Sequence, residues 1–412
     1  MRVLVVGKGG REHAIAQKIS ESKMLETLWV APGNPGMSKV GLQCVNVEKT
    51  PDVLAFCKTN RVDLVVFGPE AAILSDLKEV LEANGVACLA PSREAAHLEA
   101  SKYFCKEILE DAGLLTAAYQ KANTVAEAIS FLEKHDFKTP IVVKADGLAA
   151  GKGVAVCETL ETAKAAVHDL TTAYGFPLLV EECLIGRELS AFALCDGEDF
   201  VILGTACDYK RITPDPFSAN TGGMGAFSPC DFISTDDEAA IDDIFRKSLK
   251  SLKRKGKPYV GFLFAGLMKT DKGLYVLEFN VRLGDPETQA LLPRIKSDLL
   301  DLSVKAVQGR LEKQKTEFHD YRSVHVVAVS KGYPGNTMDL GHAIQIPTAS
   351  TEGTNIYFAG VSTKNENLVN TGGRVLGVTA LAKTRDEARM KAYQEIRKVQ
   401  FQGLYFREDI AQ

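Results

Sequence analysis

The stretch KADGLAAGKGV, residues 144 to 154, combines residue types that could hold a polyphosphate. Glycine lets backbone N–H groups approach a ligand closely, and lysine brings a compact positive charge. A P-loop would require four residues between its two glycines and a serine or threonine after the lysine. Here only three residues separate Gly147 from Gly151, and Gly153 stands where the hydroxyl should be. The stretch is therefore not a P-loop.

Two short apolar runs flank this stretch, TPIVV before it and VAVC after it. Such runs predict two strands, so the glycines would form the tip of a hairpin. A hairpin of this kind can fold over a nucleotide as a lid, with Lys144 on the first strand reaching a phosphate. An ordinary mobile hairpin without a ligand is the alternative.

A second chemical pattern lies in LYVLEFNVRLGDPETQ. Side chains alternate along a strand, so Glu278, Asn280 and Arg282 would share one face. A carboxylate and an amide oxygen two residues apart can ligate Mg²⁺ together with phosphate and water, and Arg282 could neutralise a phosphate bidentately. A solvated polar strand face would explain the same pattern without a metal.

The run VEECLIGRE ends an apolar segment with acidic residues. An adenine amino group needs an acceptor, and a ribose needs a carboxylate or a carbonyl. Glu181 or Glu182 could meet the first need and Glu188 the second.

A further glycine-rich segment, ANTGGMGAFSP, spans residues 219 to 229 and follows a charged group that includes Arg211. It could close on a substrate, because binding residues are concentrated on loops that a rigid scaffold positions. An unspecialised surface loop is the alternative. The predicted substrate residues of this region are Asp208, Lys210, Asn220, Thr221, Gly222 and Gly223.

The opening VVGKGGREH looks like the turn of a dinucleotide-binding fingerprint, but Glu12 replaces its third glycine. No suitable acidic residue ends a second strand about twenty residues on, so a nicotinamide role is not expected. Gly9 and Gly10 could still hold an anion of a substrate at the N-terminus of the following helix, where N–H groups and the helix dipole favour negative charge. The turn could equally serve only the fold.

The composition is that of an ordinary globular protein, with 412 residues of which 45% are hydrophobic and 25% charged. This length allows about two to four domains. The formal charge of −4 gives no general reason to expect a nucleic acid or an anionic membrane as partner. Nine cysteines without a Cys-x-x-Cys pair, and a start that lacks a signal-peptide pattern, predict free thiols in the reducing cytoplasm.

Alternating strand and helix patterns over residues 1 to 100 predict an α/β domain built on a small doubly wound parallel sheet. Residues 101 to 325 predict a larger α+β domain, which carries the hairpin within a lid subdomain at about 121 to 187. Residues 326 to 412 predict a small C-terminal α+β domain with too little apolar bulk for much stability of its own.

The chain resembles the phosphoribosylamine-glycine ligases, or glycinamide ribonucleotide synthetases, of the ATP-grasp superfamily. Matching stretches occur over the whole chain in the family's order, and the hairpin and the EFN...GDPETQ run are the most specific. The other stretches are GKGGREHA, APGNPG, GPE, SK at 101 to 102, NTGGMGA, GFLFAGLM, KSDL, GYPG and TGGRVLGVTAL. The resemblance implies that the central domain is an ATP-grasp domain and that KADGLAAGKGV closes on the triphosphate of ATP.

The resemblance also implies a role for single residues. The implied ATP-binding residues are Lys102, Lys144, Gly151, Lys152, Gly153, Glu181, Glu182, Leu184 and Glu188. Among them, Glu181 and the Leu184 backbone would read adenine, and Glu188 would hold the ribose. The implied metal ligands and catalytic residues are Glu278 and Asn280 for Mg²⁺ or Mn²⁺, and Arg282 and Asp285 for catalysis.

The implied reaction joins glycine to 5-phosphoribosylamine with ATP, giving glycinamide ribonucleotide, ADP and phosphate in de novo purine biosynthesis. The expected route passes through glycyl phosphate. Another ATP-grasp carboxylate-amine ligase or carboxylase, or a nucleotide-binding module without ligase activity, is the alternative. The expected partners are these small molecules, with no nucleic acid and no membrane, and the expected assembly is a monomer or a weak homodimer.

The chain departs from the family's usual residues at several positions, none of which is an implied ATP or metal residue. The departures are Ala72-Ile73 and Asp76 for the usual Pro-Leu and Gly, Cys207 and Tyr209 for the usual Gln and His, and Ala219 for the usual Pro. Because these residues lie in loops expected to face the substrates, they put the contacts with glycine or phosphoribosylamine in doubt.

Overall fold

A computed structural model describes residues 1–148, 153–215, 217–347 and 351–412 of the chain. The predicted loop residues Gly151 and Lys152 lie outside the described residues. Within the described ranges, no helix combines the length and apolar character that crossing a bilayer requires.

The first hundred residues alternate strand and helix, as the sequence predicted. The elements are β1 (Arg2–Gly7), α1 (Gly10–Ser20), β2 (Thr27–Pro32), α2 (Pro35–Lys39), β3 (Gln43–Cys44), α3 (Thr50–Asn60), β4 (Leu64–Phe67), α4 (Glu70–Ile73), α5 (Leu77–Ala83), β5 (Ala87–Leu89) and α6 (Arg93–Ala100). The five strands are parallel and lie in the order β3-β2-β1-β4-β5. Alternate residues of β1 and β4 pack into two different apolar clusters, one on each face of the sheet. This burial on both faces explains why their sequences are continuously apolar.

The turn after β1 is filled by a side chain of the protein itself. Glu12 is buried against Gly7 and Gly68, and a Cβ at either glycine would collide with it. Its carboxylate accepts a hydrogen bond from the Gly9 N–H at 2.7 Å and another from Arg11 Nε at 2.6 Å. The residue that replaces the third fingerprint glycine therefore occupies the space beside the turn and uses one N–H that an anion would need.

The next part of the chain contains the segment predicted as a lid, at about 121 to 187. Its elements are α7 (Lys102–Asp111), β6 (Tyr119–Ala122), α8 (Val125–Leu132), β7 (Ile141–Ala145), β8 (Val154–Cys157), α9 (Leu160–Tyr174) and β9 (Leu178–Glu182). The strands form an antiparallel sheet in the order β6-β9-β7-β8. Strands β7 and β8 are the two predicted strands of the glycine hairpin. Helices α8 and α9 cover this sheet with an apolar cluster separate from the two main ones, so the lid has a core of its own.

The rest of the chain builds one large sheet. Its elements are β10 (Arg187–Asp196), β11 (Phe200–Asp208), β12 (Gly225–Ser228), α10 (Thr235–Arg254), β13 (Val260–Thr270), β14 (Gly273–Asn280), α11 (Glu287–Leu291), a 3-10 turn (Leu292–Arg294), α12 (Leu299–Val307), β15 (Arg322–Val329), β16 (Thr354–Phe358), β17 (Val361–Lys364), β18 (Asn367–Asn370), β19 (Arg374–Ala382) and α13 (Arg385–Ile396). The strand order is β14-β13-β10-β11-β12-β15-β19-β16, and β17 pairs with β18 separately. Since β12 pairs with β15, the sheet continues into the C-terminal part, and the boundary predicted between residues 325 and 326 falls inside β15.

Two of the cysteines are paired, in contrast to the free thiols predicted from the sequence. Cys207 at the end of β11 and Cys230 after β12 form a disulfide with their Cα atoms 6.1 Å apart, and the other seven cysteines are free. The pairing of β11 with β12 brings the two residues together. Their separation of 23 residues gave no local signal of this contact.

Candidate active site

A cavity of about 710 Å³ lies where the lid, the N-terminal sheet and the large sheet meet. Its walls come from every part of the chain, with Arg11 of α1, Lys144 of β7, Asp208 of β11, Glu278 of β14 and Arg374 of β19 all lining it. A volume of this size accommodates a nucleotide and a small second ligand.

Glu278 and Asn280 face the cavity from the end of β14, as strand alternation predicted. Asn280 Nδ2 lies 3.4 Å from Glu278 Oε1. Desolvation in the cavity opposes ionisation of Glu278, but Lys210, Lys144 and Lys102 lower the pKa of this carboxyl below its ordinary value. The three lysines therefore favour the ionised form of the Glu278 carboxylate.

Arg282 follows β14 and lines the same cavity with a guanidinium that is held by acidic partners. It lies 3.0 Å from the Glu99 carboxylate and 3.2 Å from the Glu70 carboxylate, and it donates to Asn280 Oδ1 at 3.1 Å. Desolvation opposes ionisation of Glu70, but Arg282 and Arg11 lower the pKa of Glu70 below its ordinary value. These contacts fix the orientation of the guanidinium beside the predicted metal ligands.

Glu181, at the end of β9, is a buried carboxylate with two lysines on one oxygen. Its Oε2 lies 2.8 Å from Lys144 Nζ and 3.2 Å from Lys106 Nζ. Only 2% of Glu181 is exposed, and its Oε1 has no hydrogen-bond partner among the described residues. Because leaving a buried acceptor unpaired costs free energy, Oε1 is suited to accept a hydrogen bond from a ligand.

Lys102 begins α7 and ties this helix to the hairpin. Its Nζ donates to the Gly147 carbonyl at 2.8 Å, and burial lowers the pKa of this lysine. Asp146 in the same loop accepts hydrogen bonds from Ser101 Oγ at 3.0 Å and from the Tyr103 N–H at 3.2 Å. The first turn of α7 and the base of the lid loop are therefore held together next to the cavity.

Asp208 is the last residue of β11 and Lys210 lies two residues beyond it, and both line the cavity. Lys210 Nζ lies 2.6 Å from Glu188 Oε2. Burial raises the pKa of Asp208, and burial together with Asp208 raises the pKa of Glu287 to about 7. Glu287 also accepts a hydrogen bond from Ser190 Oγ at 3.2 Å. This acidic group can bind an ammonium group of a ligand.

The predicted substrate loop is held from the C-terminal part of the chain. The Gly222 N–H donates to Tyr333 Oη at 2.8 Å, and the Gly222 carbonyl accepts from Arg374 Nη1 at 2.7 Å. The Thr221 N–H donates to the Lys210 carbonyl at 2.7 Å. The loop is therefore tied to the segment that follows β11 and carries Lys210.

A segment near residue 410 holds the chain on the other side of Lys210. Tyr209 Oη accepts a hydrogen bond from the Ala411 N–H at 2.9 Å. Arg407 Nη1 donates to the Arg211 carbonyl at 2.9 Å, and Tyr405 Oη donates to the Ile212 carbonyl at 3.2 Å. Tyr209, where the family usually has His, is thus a residue that anchors the chain rather than one that lines the cavity.

The structure brings together many of the residues predicted from the sequence. Those that line the cavity are Lys102, Lys144, Gly153, Glu181, Asp208, Lys210, Thr221, Gly222, Glu278, Asn280, Arg282 and Asp285. Those that are described but do not line it are Gly9, Gly10, Glu182, Leu184, Glu188, Asn220 and Gly223. Two of these residues contact other parts of the protein instead. The Glu182 carboxylate accepts a hydrogen bond from the Ala118 N–H at 2.9 Å. Gly223 lies so close to Pro286 that a Cβ at this position would collide with the proline ring.

Sequence reasoning missed Arg11, Lys106, Glu287 and Arg374, which also line the cavity. Lys106 carried a signal, because it follows Lys102 by four residues and so shares its face of α7. Arg11, Glu287 and Arg374 lie in the family-like stretches GKGGREHA, GDPETQ and TGGRVLGVTAL, but the sequence indicated no role for them. Only the fold shows that these three side chains reach one cavity.

Glu278 and Asn280 fit a Mg²⁺ that takes its other ligands from phosphate and water. Both side chains supply oxygen, and proteins commonly hold Mg²⁺ with few carboxylates plus substrate phosphates. Among the described residues, no group of three or more His, Cys, Asp or Glu is arranged to hold a metal. The fit therefore depends on a phosphate ligand, for which the surrounding lysines supply the charge.

Three family models match consecutive parts of the chain. They are described as phosphoribosylglycinamide synthetase, N domain, over residues 1–99, as its ATP-grasp (A) domain over residues 100–288, and as its C domain over residues 323–412.

Proteins named phosphoribosylamine–glycine ligase are similar to the chain over its full length. One from Rhizobium meliloti (strain 1021) is 41% identical over 416 residues, which cover 100% of this chain and 98% of that protein. One from Caldanaerobacter subterraneus subsp. tengcongensis is 40% identical over 422 residues, which cover 100% of this chain and 99% of that protein.

Solved structures resemble the chain in fold. The phosphoribosylamine–glycine ligase of Thermotoga maritima matches with a TM-score of 0.86 and 33% identity, covering 100% of both chains. The biotin carboxylase domain of the Hydrogenobacter thermophilus 2-oxoglutarate carboxylase, in complex with MgADP, matches with a TM-score of 0.75 and 16% identity, covering 98% of this chain and 91% of that chain. The second likeness is one of fold alone.

Proposed function

This chain belongs to the phosphoribosylglycinamide synthetase family, and from that premise we propose that the described cavity is the place where ATP, glycine and 5-phosphoribosylamine react. The chain is an ATP-dependent ligase that joins glycine to 5-phosphoribosylamine, giving glycinamide ribonucleotide, ADP and phosphate in purine biosynthesis. The roles of the single residues are our proposal.

The reaction proceeds in two transfers. The glycine carboxylate attacks the γ-phosphorus of ATP, which forms glycyl phosphate and releases ADP. The nitrogen of 5-phosphoribosylamine then attacks the glycyl carbonyl carbon, forms the amide, releases phosphate and loses a proton. Positioning and charge neutralisation account for most of the catalysis of such a reaction. Closure of the lid excludes the water that would hydrolyse the acyl phosphate.

ATP lies between the lid sheet and the large sheet. Lys102 and Lys144 neutralise its phosphates, and the hairpin glycines let backbone N–H groups approach them. Glu181 Oε1 and the Leu184 backbone bind the adenine edge, and Glu188 binds the ribose. The remaining proposed ATP-binding residues are Gly151, Lys152, Gly153 and Glu182.

Glu278 and Asn280 are the proposed ligands of Mg²⁺, or of Mn²⁺ in its place. The metal, when bound, neutralises charge on the phosphate oxygens. Arg282, held in place by Glu99 and Glu70, donates to the transferred phosphoryl group.

The two remaining substrates occupy the side of the cavity near β11 and β19. Asp208 binds the glycine ammonium group, and Lys210 lies beside it to orient the carboxylate. Arg11 and Arg374 supply cations for the phosphate of 5-phosphoribosylamine. Asp285, which lines the same cavity, is together with Arg282 a proposed catalytic residue. The other proposed substrate residues are Gly9, Gly10, Asn220, Thr221, Gly222 and Gly223.

The placement of Lys102, Lys144, Lys210 and Glu278 in the wall of one cavity carries this proposal, because a triphosphate with a metal satisfies all four charged groups. The test is a measurement of ADP formation with each substrate omitted in turn. We expect ADP to form at the full rate only when both glycine and 5-phosphoribosylamine are present. ADP formation that is independent of glycine would reject the proposed reaction.

We also propose that residues 1–100, 101–325 and 326–412 act as three domains with a lid at about 121–187, and that the protein is a cytoplasmic monomer or weak homodimer. The separate apolar core of the lid supports the domain division. Light scattering across a concentration series tests the assembly, and a stable dimer at nanomolar concentration would reject it.

A further inference from the structure

Lys106 is a buried lysine in the wall of the nucleotide side of the cavity. It lies on α7, is 2% exposed, and has its ammonium group enclosed by three acceptors. Its Nζ donates to Thr116 Oγ1 at 2.8 Å and to the Ala117 carbonyl at 3.2 Å, and it lies 3.2 Å from Glu181 Oε2. An ammonium group has three N–H donors, so these contacts use all of them.

Lys144 contacts the same Glu181 oxygen, at 2.8 Å, but from a different position. It belongs to the hairpin strand β7 and its only ion pair within the described residues is the one with Glu181. Lys144 is also one of the lysines proposed to neutralise ATP phosphates. A phosphate that draws Lys144 away leaves Lys106 as the counter-ion of Glu181.

We propose that Lys106 is a positioning residue that sets the preference of the site for adenine nucleotides. It fixes the Glu181 carboxylate through Oε2, so that Oε1 is presented to the nucleobase as an acceptor. This inference rests on the proposed function, in which Glu181 reads the adenine edge.

The chemistry of the two purines explains the selectivity. Adenine has an amino group where guanine has a keto oxygen. The Glu181 carboxylate can accept a hydrogen bond from the adenine amino group, but it cannot form one with the guanine oxygen, because both groups are acceptors. A buried polar group left unpaired by the wrong ligand is a strong basis for discrimination. Without Lys106, the carboxylate loses its fixed partner at Oε2, so Oε1 is no longer held in the orientation that favours adenine over guanine.

The test compares ATP with GTP as the phosphoryl donor in steady-state kinetics at saturating Mg²⁺, glycine and 5-phosphoribosylamine. We expect Lys106→Met to lower the ATP-to-GTP ratio of kcat/KM by about tenfold or more, which corresponds to the loss of one charge-assisted hydrogen bond. Most of the change should lie in the KM for ATP, with a smaller change in kcat.

A double-mutant cycle separates this role from simple structural damage. In a Glu181→Gln background, Lys106→Met should change the ATP-to-GTP ratio by less than about twofold, because the carboxylate that Lys106 positions is gone. Lys121→Met is the matched control, since Lys121 lies over the Tyr103 ring and does not line the cavity among the described residues. It should leave the ratio unchanged.

Two failures are distinguishable. If Glu181→Gln leaves the KM for ATP and the ratio unchanged, the proposed adenine contact is wrong. If Glu181→Gln lowers the ratio and Lys106→Met does not, the role of Lys106 is overturned while the adenine contact stands.

Should Lys106→Met not fold, Thr116→Val is the variant to measure, because it removes one hydrogen-bond acceptor of the Lys106 ammonium group. A lower ATP-to-GTP ratio of kcat/KM in Thr116→Val supports the inference, and an unchanged ratio overturns it.

Discussion

Arg374 donates a hydrogen bond to the backbone carbonyl of Asp285 at 2.6 Å and lies 3.3 Å from the Asp285 carboxylate. Burial opposes ionisation of Asp285, but Arg374 and Arg11 lower the pKa of this carboxyl below its ordinary value. The same guanidinium donates to the Gly222 carbonyl. One side chain of β19 therefore joins two segments of the cavity wall that belong to the central domain.

Arg374→Ala should lower kcat/KM for 5-phosphoribosylamine by about tenfold or more, because hydrogen bonds to a charged group are worth about 1.5–3 kcal/mol. The KM for ATP should change by less than about twofold, since the hydrogen bonds of Arg374 go to Gly222 and Asp285, which are not proposed ATP-binding residues. Arg374→Lys should recover only part of the loss, because lysine cannot reproduce the planar fork. Steady-state kinetics with each substrate varied in turn checks this, and equal losses toward ATP and the ribosylamine would contradict it.

Glu278→Gln and Asn280→Ala should each reduce turnover by about a hundredfold or more without unfolding the protein, because both remove an oxygen from the proposed metal site. The measurement is kcat over a range of Mg²⁺ concentrations, with thermal unfolding as the control. Tyr275→Phe is a matched substitution on β14 that should leave turnover unchanged. Near-normal turnover of Glu278→Gln at saturating Mg²⁺ would remove Glu278 from the site.

Glu287→Gln should change how stability depends on pH. The carboxyl pKa of Glu287 rises from 4.5 to about 7 on folding, because the group is buried near Asp208. Between these pH values the folded state binds more protons than the unfolded state, so Glu287 lowers stability as the pH rises from about 4.5 to about 7. Glutamine does not ionise. The free energy of unfolding of the variant should therefore fall by on the order of 2 kcal/mol less than that of the parent protein over this pH range. Urea unfolding of both proteins at pH 5 and pH 7.5 measures the difference, and identical pH slopes would refute the assignment.

Binding of a non-hydrolysable ATP analogue with Mg²⁺ should slow amide hydrogen exchange in β7 and β8, because the hairpin closes over the triphosphate. Exchange in α13, which lies outside the cavity wall, is the internal control. Lys144→Ala should weaken the effect by raising the analogue concentration that is needed. Equal protection of β7 and β8 with and without the analogue would mean that this hairpin is purely structural.

Local patterns in the sequence predicted what depends on neighbours along the chain. The alternation in LYVLEFNVR placed Glu278 and Asn280 together, because strand geometry alone determines which side chains share a face. The strand and helix rhythm of the first hundred residues likewise predicted the parallel sheet. These inferences needed no knowledge of the tertiary fold.

Contacts between distant segments were beyond the reach of the sequence. Arg374 lies 89 residues beyond Asp285, and nothing local to TGGRVL indicates that its side chain reaches the cavity. The sequence shows only that Glu12 stands in place of the third fingerprint glycine, whereas the fold shows that its carboxylate fills the space beside Gly7. The Cys207–Cys230 disulfide was missed for the same reason, since it depends on how β11 pairs with β12.

The hydrogen bonds from Tyr405, Arg407 and Ala411 to the chain around Lys210 have a consequence for biosynthesis. A ribosome makes residues 405–411 about two hundred residues after the strand that they support, and domains made earlier fold first. The nascent protein can thus have a finished lid and N-terminal domain while one wall of its cavity still lacks its anchor. Removal of these few residues by a protease should therefore loosen the chain around Lys210 without changing any group that we propose to touch a substrate.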